Sequence, residues 1–128
     1  MSFVKTEPTY KLMSLPGGEV IQLEVVSDPE DLKLGLKFRS TLPPGNGMLF
    51  VYPRHGFHSF TMYQTLIPLD MVWMDRAGVV VELVSEAQPD SYGLYGGRRV
   101  SSYGMELPAG SLRKYGFKIG QTMGGLDG

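Results

Sequence analysis

Residues 47–75 read GMLFVYPRHGFHSFTMYQTLIPLDMVWMD, and they decide the fold class because apolar and polar residues alternate along much of their length. Such alternation is typical of β-strands, whose successive side chains point to opposite faces. Pro53 and Pro68 divide the stretch, since proline brings no N–H group to a β-ladder. The pattern predicts strands over 48–52, 57–64 and 69–75, with a turn at residues 54–56 and a short run at 65–67.

The rest of the chain supports a single, mainly β domain. Its 128 residues suffice for one hydrophobic core, and the 17 glycines and 9 prolines indicate many turns and few long helices. We expect an N-terminal arm or edge strand at 1–18, a single β domain at 19–123 and a flexible tail at 124–128.

Local patterns predict the elements that flank the central stretch. Residues 19–26 alternate as a half-buried strand does, and residues 71–83 indicate a β-hairpin around Gly78. Asp28 followed by Pro29 is typical of a helix start, and Gly116 of a helix end. Residues 85–102, rich in glycine, tyrosine and arginine, predict one long loop, which we expect to be mobile and to face a ligand.

Composition excludes several classes of function. The chain has no cysteine, so disulfides, thiolate metal sites and a cysteine nucleophile are ruled out. With 12 Lys and Arg against 13 Asp and Glu, the formal net charge of −1 does not favour nucleic acid as a partner. No apolar run is long enough for a membrane span, and the first residues lack the hydrophobic core of a signal peptide.

Asp70 falls on an apolar strand, where an unpartnered carboxylate would be costly. One interpretation is that it accepts hydrogen bonds from backbone N–H groups or pairs with an arginine, and we expect Arg39 within its reach. The other is that it projects into a cleft and binds or activates a ligand. Both remain open at the level of sequence.

No catalytic motif is present. His55 and His58 point in different directions on a turn and strand, so we expect no metal site and no cofactor. There is no G-x-S-x-G elbow for a serine nucleophile, and Gly93, Gly96 and Gly97 lack the flanking strand and helix of a phosphate-binding loop. Asp70 and Glu106 could form a glycosidase-like pair of carboxylates only if they faced each other across a cavity.

The order of motifs resembles the prokaryotic domain-of-unknown-function family 192. The resemblance rests on Gly35-Leu36 with Phe38-Arg39, on Leu42-Pro43, on residues 47–51, on Phe60 and Met62 leading into 65–70, on Gly78 with Val80-Val81, and on residues 106–110. It covers roughly residues 20 to 123. It implies a compact β-barrel or jelly-roll-like sandwich with one or two short helices, often exported, and no established activity. Export of a trimmed form would be compatible with the absence of a signal peptide.

The chain departs from the family pattern at a few positions. Thr61, Tyr63 and Gln64 stand where tryptophan, lysine and asparagine are usual, and Lys37 stands where methionine is usual. The cysteines that some relatives carry in the long loop are missing. A family ligand that used those side chains would be bound differently here.

The sequence favours a non-catalytic domain that binds a small molecule, a glycan or a partner protein through convergent polar groups. The alternative is a hydrolase-like or lyase-like enzyme in which Asp70, with Glu106 or His58, acts as acid and base. The candidate binding residues are Arg39, His58, Tyr63, Gln64, Thr65, Asp70, Tyr92, Tyr95 and Arg98.

Overall fold

The computed structural model describes residues 7–126, which form one six-stranded sheet and two short helices. Parts of the predicted N-terminal arm, residues 1–6, and of the predicted tail, residues 127–128, lie outside the described residues. The mainly β class with short helices is confirmed, and the sheet is open rather than closed into a barrel. The elements are β1 (Thr9–Ser14), β2 (Val20–Val26), α1 (Pro29–Leu34), β3 (Asn46–Phe60), β4 (Leu69–Met74), β5 (Val80–Ala87), β6 (Tyr95–Pro108) and α2 (Ser111–Tyr115).

The sheet contains one parallel pair of strands, β2 and β3. The strand order is β1-β2-β3-β6-β4-β5, and all neighbours are antiparallel except β2 and β3. Parallel neighbours require a crossover connection, and residues 27–45 supply it with α1. The crossover brings α1 and the residues after it against the central strands.

Most predicted elements are confirmed. The strand at 19–26 corresponds to β2, and the hairpin at 71–83 to the antiparallel pair β4 and β5. The Asp28 side chain caps α1 by accepting from the Asp31 N–H, and α2 ends at Gly116 in the left-handed conformation. These signals were reliable because capping depends on adjacent residues alone.

Two predictions were wrong. Residues 54–56 form no turn, since β3 runs on to Phe60 and accommodates Pro53 and its neighbours with a register shift against β6 between Val51 and Gly56. The long loop predicted at 85–102 is confined to residues 88–94, because β5 extends to Ala87 and β6 begins at Tyr95. Glycines suggested a loop, but a Cβ at Gly96 would overlap the Trp73 ring, so this glycine serves close packing within a strand.

The two faces of the sheet carry separate apolar clusters. Met105 and Leu107 of β6 belong to the first cluster, which α2 and the C-terminal segment cover. Glu106, between them, points to the opposite face, where it lies in register with Met48 of β3 and Met71 of β4. The second cluster is on that face and comprises Val26, Leu36, Met48, Phe50, Phe60, Met62, Leu69, Met71, Trp73 and Ala87.

Candidate functional site

Asp70 is a structural carboxylate. It is fully buried on β4, where Oδ1 accepts from the Glu86 N–H at 2.7 Å and Oδ2 from the Leu112 N–H at 2.8 Å. Each oxygen therefore has a donor, and the carboxylate joins β4 to the end of β5 and to α2. The expectation of backbone partners is confirmed, and both carboxylate oxygens are engaged within the fold.

Arg39 does not pair with Asp70, so the prediction of an ion pair between them was wrong. Its guanidinium binds Glu24 of β2 in a two-pronged contact, with Nη1 to Oε1 at 2.8 Å and Nη2 to Oε2 at 3.0 Å. The reason is topological, because the crossover that carries Arg39 leaves β2 and passes over the face opposite the one that Asp70 occupies. Arg39 thus ties the crossover to the strand that it departs from.

Glu106 is the buried carboxyl group without a partner. Its side chain is 4 % exposed, and among residues 7–126 no hydrogen bond to it is formed. Burial raises the pKa of Glu106 to about 8, and the positive charge of Lys37 opposes part of that shift. The group is therefore mostly protonated at neutral pH, and it offers an O–H donor rather than a negative charge.

A cleft of about 380 Å³ opens onto Glu106. Gly35, at the end of α1, lies close to both Phe50 and Glu106: a Cβ there would lie 3.4 Å from the Phe50 ring and 3.8 Å from Glu106 Oε1, which are ordinary contact distances. Gly35 also has φ +52°, which an L side chain rarely adopts. The lining residues are Leu32, Lys33, Leu34, Gly35, Leu36, Lys37, Phe50, Ser59, Phe60, Thr61, Tyr63, Thr65 and Glu106.

Two further polar groups without hydrogen bonds lie close to this site. The Tyr52 hydroxyl and the Trp73 Nε1–H are buried and lack a partner of good geometry. The Tyr52 hydroxyl sits over Gly104, where a Cβ would come within 2.5 Å of it. Burial, and next the nearby Glu106, raise the pKa of Tyr52. Phe60, whose ring is 5.0 Å from that of Trp73, separates these groups from the cleft.

The candidate residues from the sequence fall into separate places. Tyr63 and Thr65 line the cleft, and Tyr92 contacts Tyr63 with ring centroids 6.1 Å apart. Gln64 adopts φ +58°, and its backbone N–H binds the Asp90 carboxylate.

The remaining candidates lie outside the cleft. Tyr95 hydrogen-bonds to Ser91 at 2.7 Å and packs against the second cluster. Arg98 is exposed on β6. His58 contacts the Arg54 carbonyl at 2.7 Å and stacks on Tyr52 at 3.8 Å between centroids.

The sequence predicted Glu106 only as a secondary acid, and of the other residues that line the cleft it predicted only Tyr63 and Thr65 as candidates. The signal was a single carboxylate in the apolar run Tyr103-Gly104-Met105-Glu106-Leu107. It resembles the signal at Asp70, because both residues are acidic side chains within apolar strands. Only the structure shows that one carboxyl has donors and the other does not.

Other surface features are less suited to a ligand. A more open depression of about 420 Å³ is lined by His55, Arg76 and Arg99, with Asp75 bound to its own turn. A third cleft, of about 680 Å³, lies beside Arg39 and Glu24, which already satisfy each other. Within residues 7–126 no group of three or more histidine and acidic side chains could hold a metal ion. No helix in that range has the length and apolar character that a membrane span requires.

Comparison with known proteins establishes the family. Residues 13–125 match domain-of-unknown-function family 192, DUF192, described as an uncharacterised ACR. The chain belongs to this family, as the motif order indicated. No curated protein matches the chain significantly.

Two solved structures share the fold. A protein from Sinorhizobium meliloti 1021, described as a proposed transcription regulator, has 25% sequence identity and a TM-score of 0.83, over 95% of this chain and 96% of that chain. A protein of unknown function from Novosphingobium aromaticivorans DSM 12444 has 22% identity and a TM-score of 0.82, over 91% and 84% of the two chains.

Proposed function

We propose that this domain binds a small organic molecule, without catalysis, in the cleft above Glu106. The observation that carries the proposal is a buried carboxyl group with no hydrogen bond at the floor of an accessible cleft. A buried polar group without a partner costs stability, and perturbed carboxyl groups in clefts are enriched at functional sites. A bound ligand would supply the missing acceptor.

The walls of the cleft suit such a ligand. Leu32, Leu36, Phe50 and Phe60 offer an apolar surface, and Glu106 provides a polar group at its floor. Ligand sites commonly combine a mostly apolar lining with a few placed polar groups, in volumes of roughly 300–1,000 Å³. At about 380 Å³, this cleft fits a molecule near the small end of that range.

The alternative of acid and base catalysis has less support. Both Asp70 oxygens are occupied by backbone donors, and His58 contacts the Arg54 carbonyl and stacks on Tyr52. Asp70 and Glu106 also point to opposite faces of the sheet, since they occupy adjacent ladder positions, Asp70 opposite Leu107 and Met71 opposite Glu106. A glycosidase-like pair would need both on one side of a cavity.

Only exposed residues at the rim of the cleft support the binding of a glycan or of a partner protein. Tyr63 and Tyr92 are 47% and 84% exposed, and such rings can stack on a sugar or on a partner. They add to the cleft but offer no enclosed site of their own. We therefore assign them a secondary role at its entrance.

The description of the Sinorhizobium meliloti relative raises transcription regulation as another role. The two helices described for this chain have six and five residues, shorter than the recognition helices that enter a DNA groove. The formal net charge is −1, which gives no general attraction to phosphates. Our proposal is therefore a small-molecule site.

The test is a fragment screen by protein-observed NMR. We expect fragments with apolar rings to shift the amide signals of Gly35, Lys37 and Phe60 selectively. Thr61→Phe, at the exposed rim, should block this binding, whereas Thr122→Phe, an exposed threonine outside the cleft, should not. If no fragment shifts the cleft amides, or if Thr61→Phe binds as the parent does, the proposal is wrong.

A further inference from the structure

We propose that the ligand of the Glu106 cleft is a small organic acid: an apolar body carrying one carboxylate that contacts Glu106 and Lys37. This inference rests on the proposed function and names the chemical class that the site would take. It follows from the hydrogen-bonding capacity of the site, from its charge and from its apolar walls.

The hydrogen-bonding capacity of Glu106 calls for an acceptor on the ligand. Glu106 has no partner among the described residues, and in the deep, apolar position between Met48 and Met71 the neutral acid is the favoured form. A neutral carboxyl group presents an O–H donor to the cleft. The ligand group that binds this O–H is therefore a hydrogen-bond acceptor. An O–H group that donates to a carboxylate oxygen makes a short, strong hydrogen bond.

The charge of the cleft lining favours an anionic ligand. Besides Glu106, the ionisable groups that line the cleft are Lys33, Lys37 and the Tyr63 phenol. The Lys37 ammonium lies near enough to favour a negative charge at Glu106, and it donates to the Lys33 carbonyl at 3.0 Å. With Glu106 neutral, the lining carries positive charge only. An anionic head is attracted here, and an amine is repelled by both lysines.

The walls of the cleft favour a ligand with an apolar body. Leu32, Leu36, Phe50 and Phe60 line the cleft around the carboxyl group. Ser59, Thr61 and Thr65 add hydroxyl groups to the lining, but most of its surface is apolar. A highly hydroxylated ligand would therefore leave some of its polar groups unpaired, which is costly. A short alkyl or aryl acid matches both the walls and the floor.

The charged and titratable groups that face Glu106 decide how binding depends on pH. They are Lys33 and Lys37 from α1 and the residues after it, Tyr52 from β3 and Tyr63 from the rim, while β4 presents Met71. A carboxylate ligand binds the protonated Glu106. Its affinity should stay constant from about pH 6 to the pKa of about 8, and then fall about tenfold per pH unit.

The experiment uses three probes that share a phenyl ring: phenylacetate, phenylacetamide and phenethylamine. Isothermal titration calorimetry measures the Kd of each against the full chain below and above the pKa of Glu106. We expect phenylacetate to bind tightest, phenylacetamide more weakly and phenethylamine weakest. Phenylacetate alone should lose affinity as the pH rises past about 8.

Three variants assign the contacts. Glu106→Gln keeps a neutral donor, so phenylacetate binding should persist without its loss at high pH. Lys37→Met should weaken phenylacetate about tenfold, the size of one charge-assisted hydrogen bond, and leave phenylacetamide unchanged. Lys118→Met, an exposed lysine outside the cleft, is the matched control and should change neither.

The outcomes separate this inference from the proposed function. If phenethylamine binds tightest and its affinity rises with pH, the cleft is a cation site with an ionised Glu106, and the organic-acid class is wrong. If phenylacetamide equals phenylacetate and Lys37→Met has no effect, the cleft binds ligands but not as an acid site. If none of the probes binds and the fragment screen also fails, the proposed function falls, and this inference with it.

Discussion

Asp70 and Glu106 are buried carboxyl groups on neighbouring strands, and they differ in their hydrogen-bond partners. Asp70 has a backbone donor for each oxygen, whereas no hydrogen bond to Glu106 is formed among residues 7–126. Burial without a hydrogen bond favours the neutral form of Glu106. Asp70 joins elements of the fold, and Glu106 lies at the floor of an accessible cleft.

The first prediction concerns the effect of Glu106 on stability. The ordinary carboxyl pKa of 4.5 rises to about 8 in the folded chain, so the folded state keeps a proton that the unfolded state has lost between these values. Stability should therefore be greatest below about pH 4.5 as far as this group is concerned, and should decrease up to about pH 8. The largest loss of unfolding free energy from this group is several kcal/mol, because one pKa unit corresponds to about 1.36 kcal/mol.

Urea unfolding of the parent and of Glu106→Gln measures this effect. The glutamine cannot ionise, so its stability relative to the parent should increase steadily over the window from about 5 to 8. Curves that remain parallel across that range would mean that Glu106 titrates near its ordinary pKa.

The second prediction concerns Asp70. Asp70→Ala leaves the Glu86 and Leu112 N–H groups without acceptors, at a cost of roughly 1–3 kcal/mol for each that remains buried. We expect a loss of a few kcal/mol in the free energy of unfolding by urea. Glu30→Ala, an exposed acid on α1, is the control and should stay within about 0.5 kcal/mol. Equal stability of the two variants would contradict the structural role of Asp70.

At the scale of elements, the crossover between β2 and β3 forms the roof of the cleft. Helix α1 has no fully buried residue, so its position depends on Leu32, on the buried turn at Gly35 and Leu36, and on Arg39. The two-pronged contact of Arg39 with Glu24 is the side-chain ion pair that fastens the crossover to the sheet.

The third prediction is that this ion pair couples the roof to β2. Arg39 is 40% exposed and Glu24 18%, so we expect a coupling of no more than about 1 kcal/mol, in line with partly exposed pairs. A double-mutant cycle with Arg39→Ala and Glu24→Ala measures it by urea unfolding. Arg39→Lys should recover only part of the coupling, because lysine cannot make the parallel two-pronged contact. A coupling of zero would mean that the two side chains act independently.

Sequence predicted some elements well because their signals are local. The cap at Asp28, the glycine at the end of α2 and the β4–β5 hairpin depend on neighbouring residues. It failed where distant residues decide. Gly96 suggested a loop, yet it pairs with Ser59 of β3 as part of β6. A Cβ there would overlap the ring of Trp73, far away in sequence, so the position requires glycine.

At the scale of the whole molecule, the site was harder to predict than the fold. Tyr63 and Thr65 were identified and do line the cleft. Arg39 and Asp70 were expected together, but the crossover places them on opposite sides of the sheet, which no short-range pattern reveals. The strand order had to be known before Glu106 could be placed beneath α1.

The fourth prediction concerns two residues that were expected in one mobile loop. Tyr95 packs against the second cluster and hydrogen-bonds to Ser91, so Tyr95→Ala should cost about 2 kcal/mol or more of unfolding free energy. Arg98 is exposed, and Arg98→Ala should remain within about 0.5 kcal/mol. Thermal and urea unfolding of both variants check this, and a neutral Tyr95→Ala would restore the idea of a mobile segment.

The parallel pairing of β2 with β3 has a consequence for the mobility of the roof above Glu106. The roof is a crossover that lies outside the ladder of strands. It can therefore move away from the sheet while every strand stays paired. Amide hydrogen exchange should show this, with Leu32 and Gly35 exchanging through a local opening while Met105 and Leu107 at the sheet centre exchange only on global unfolding. The roof would then adjust its position over the accessible cleft without disturbing the pairing of the strands.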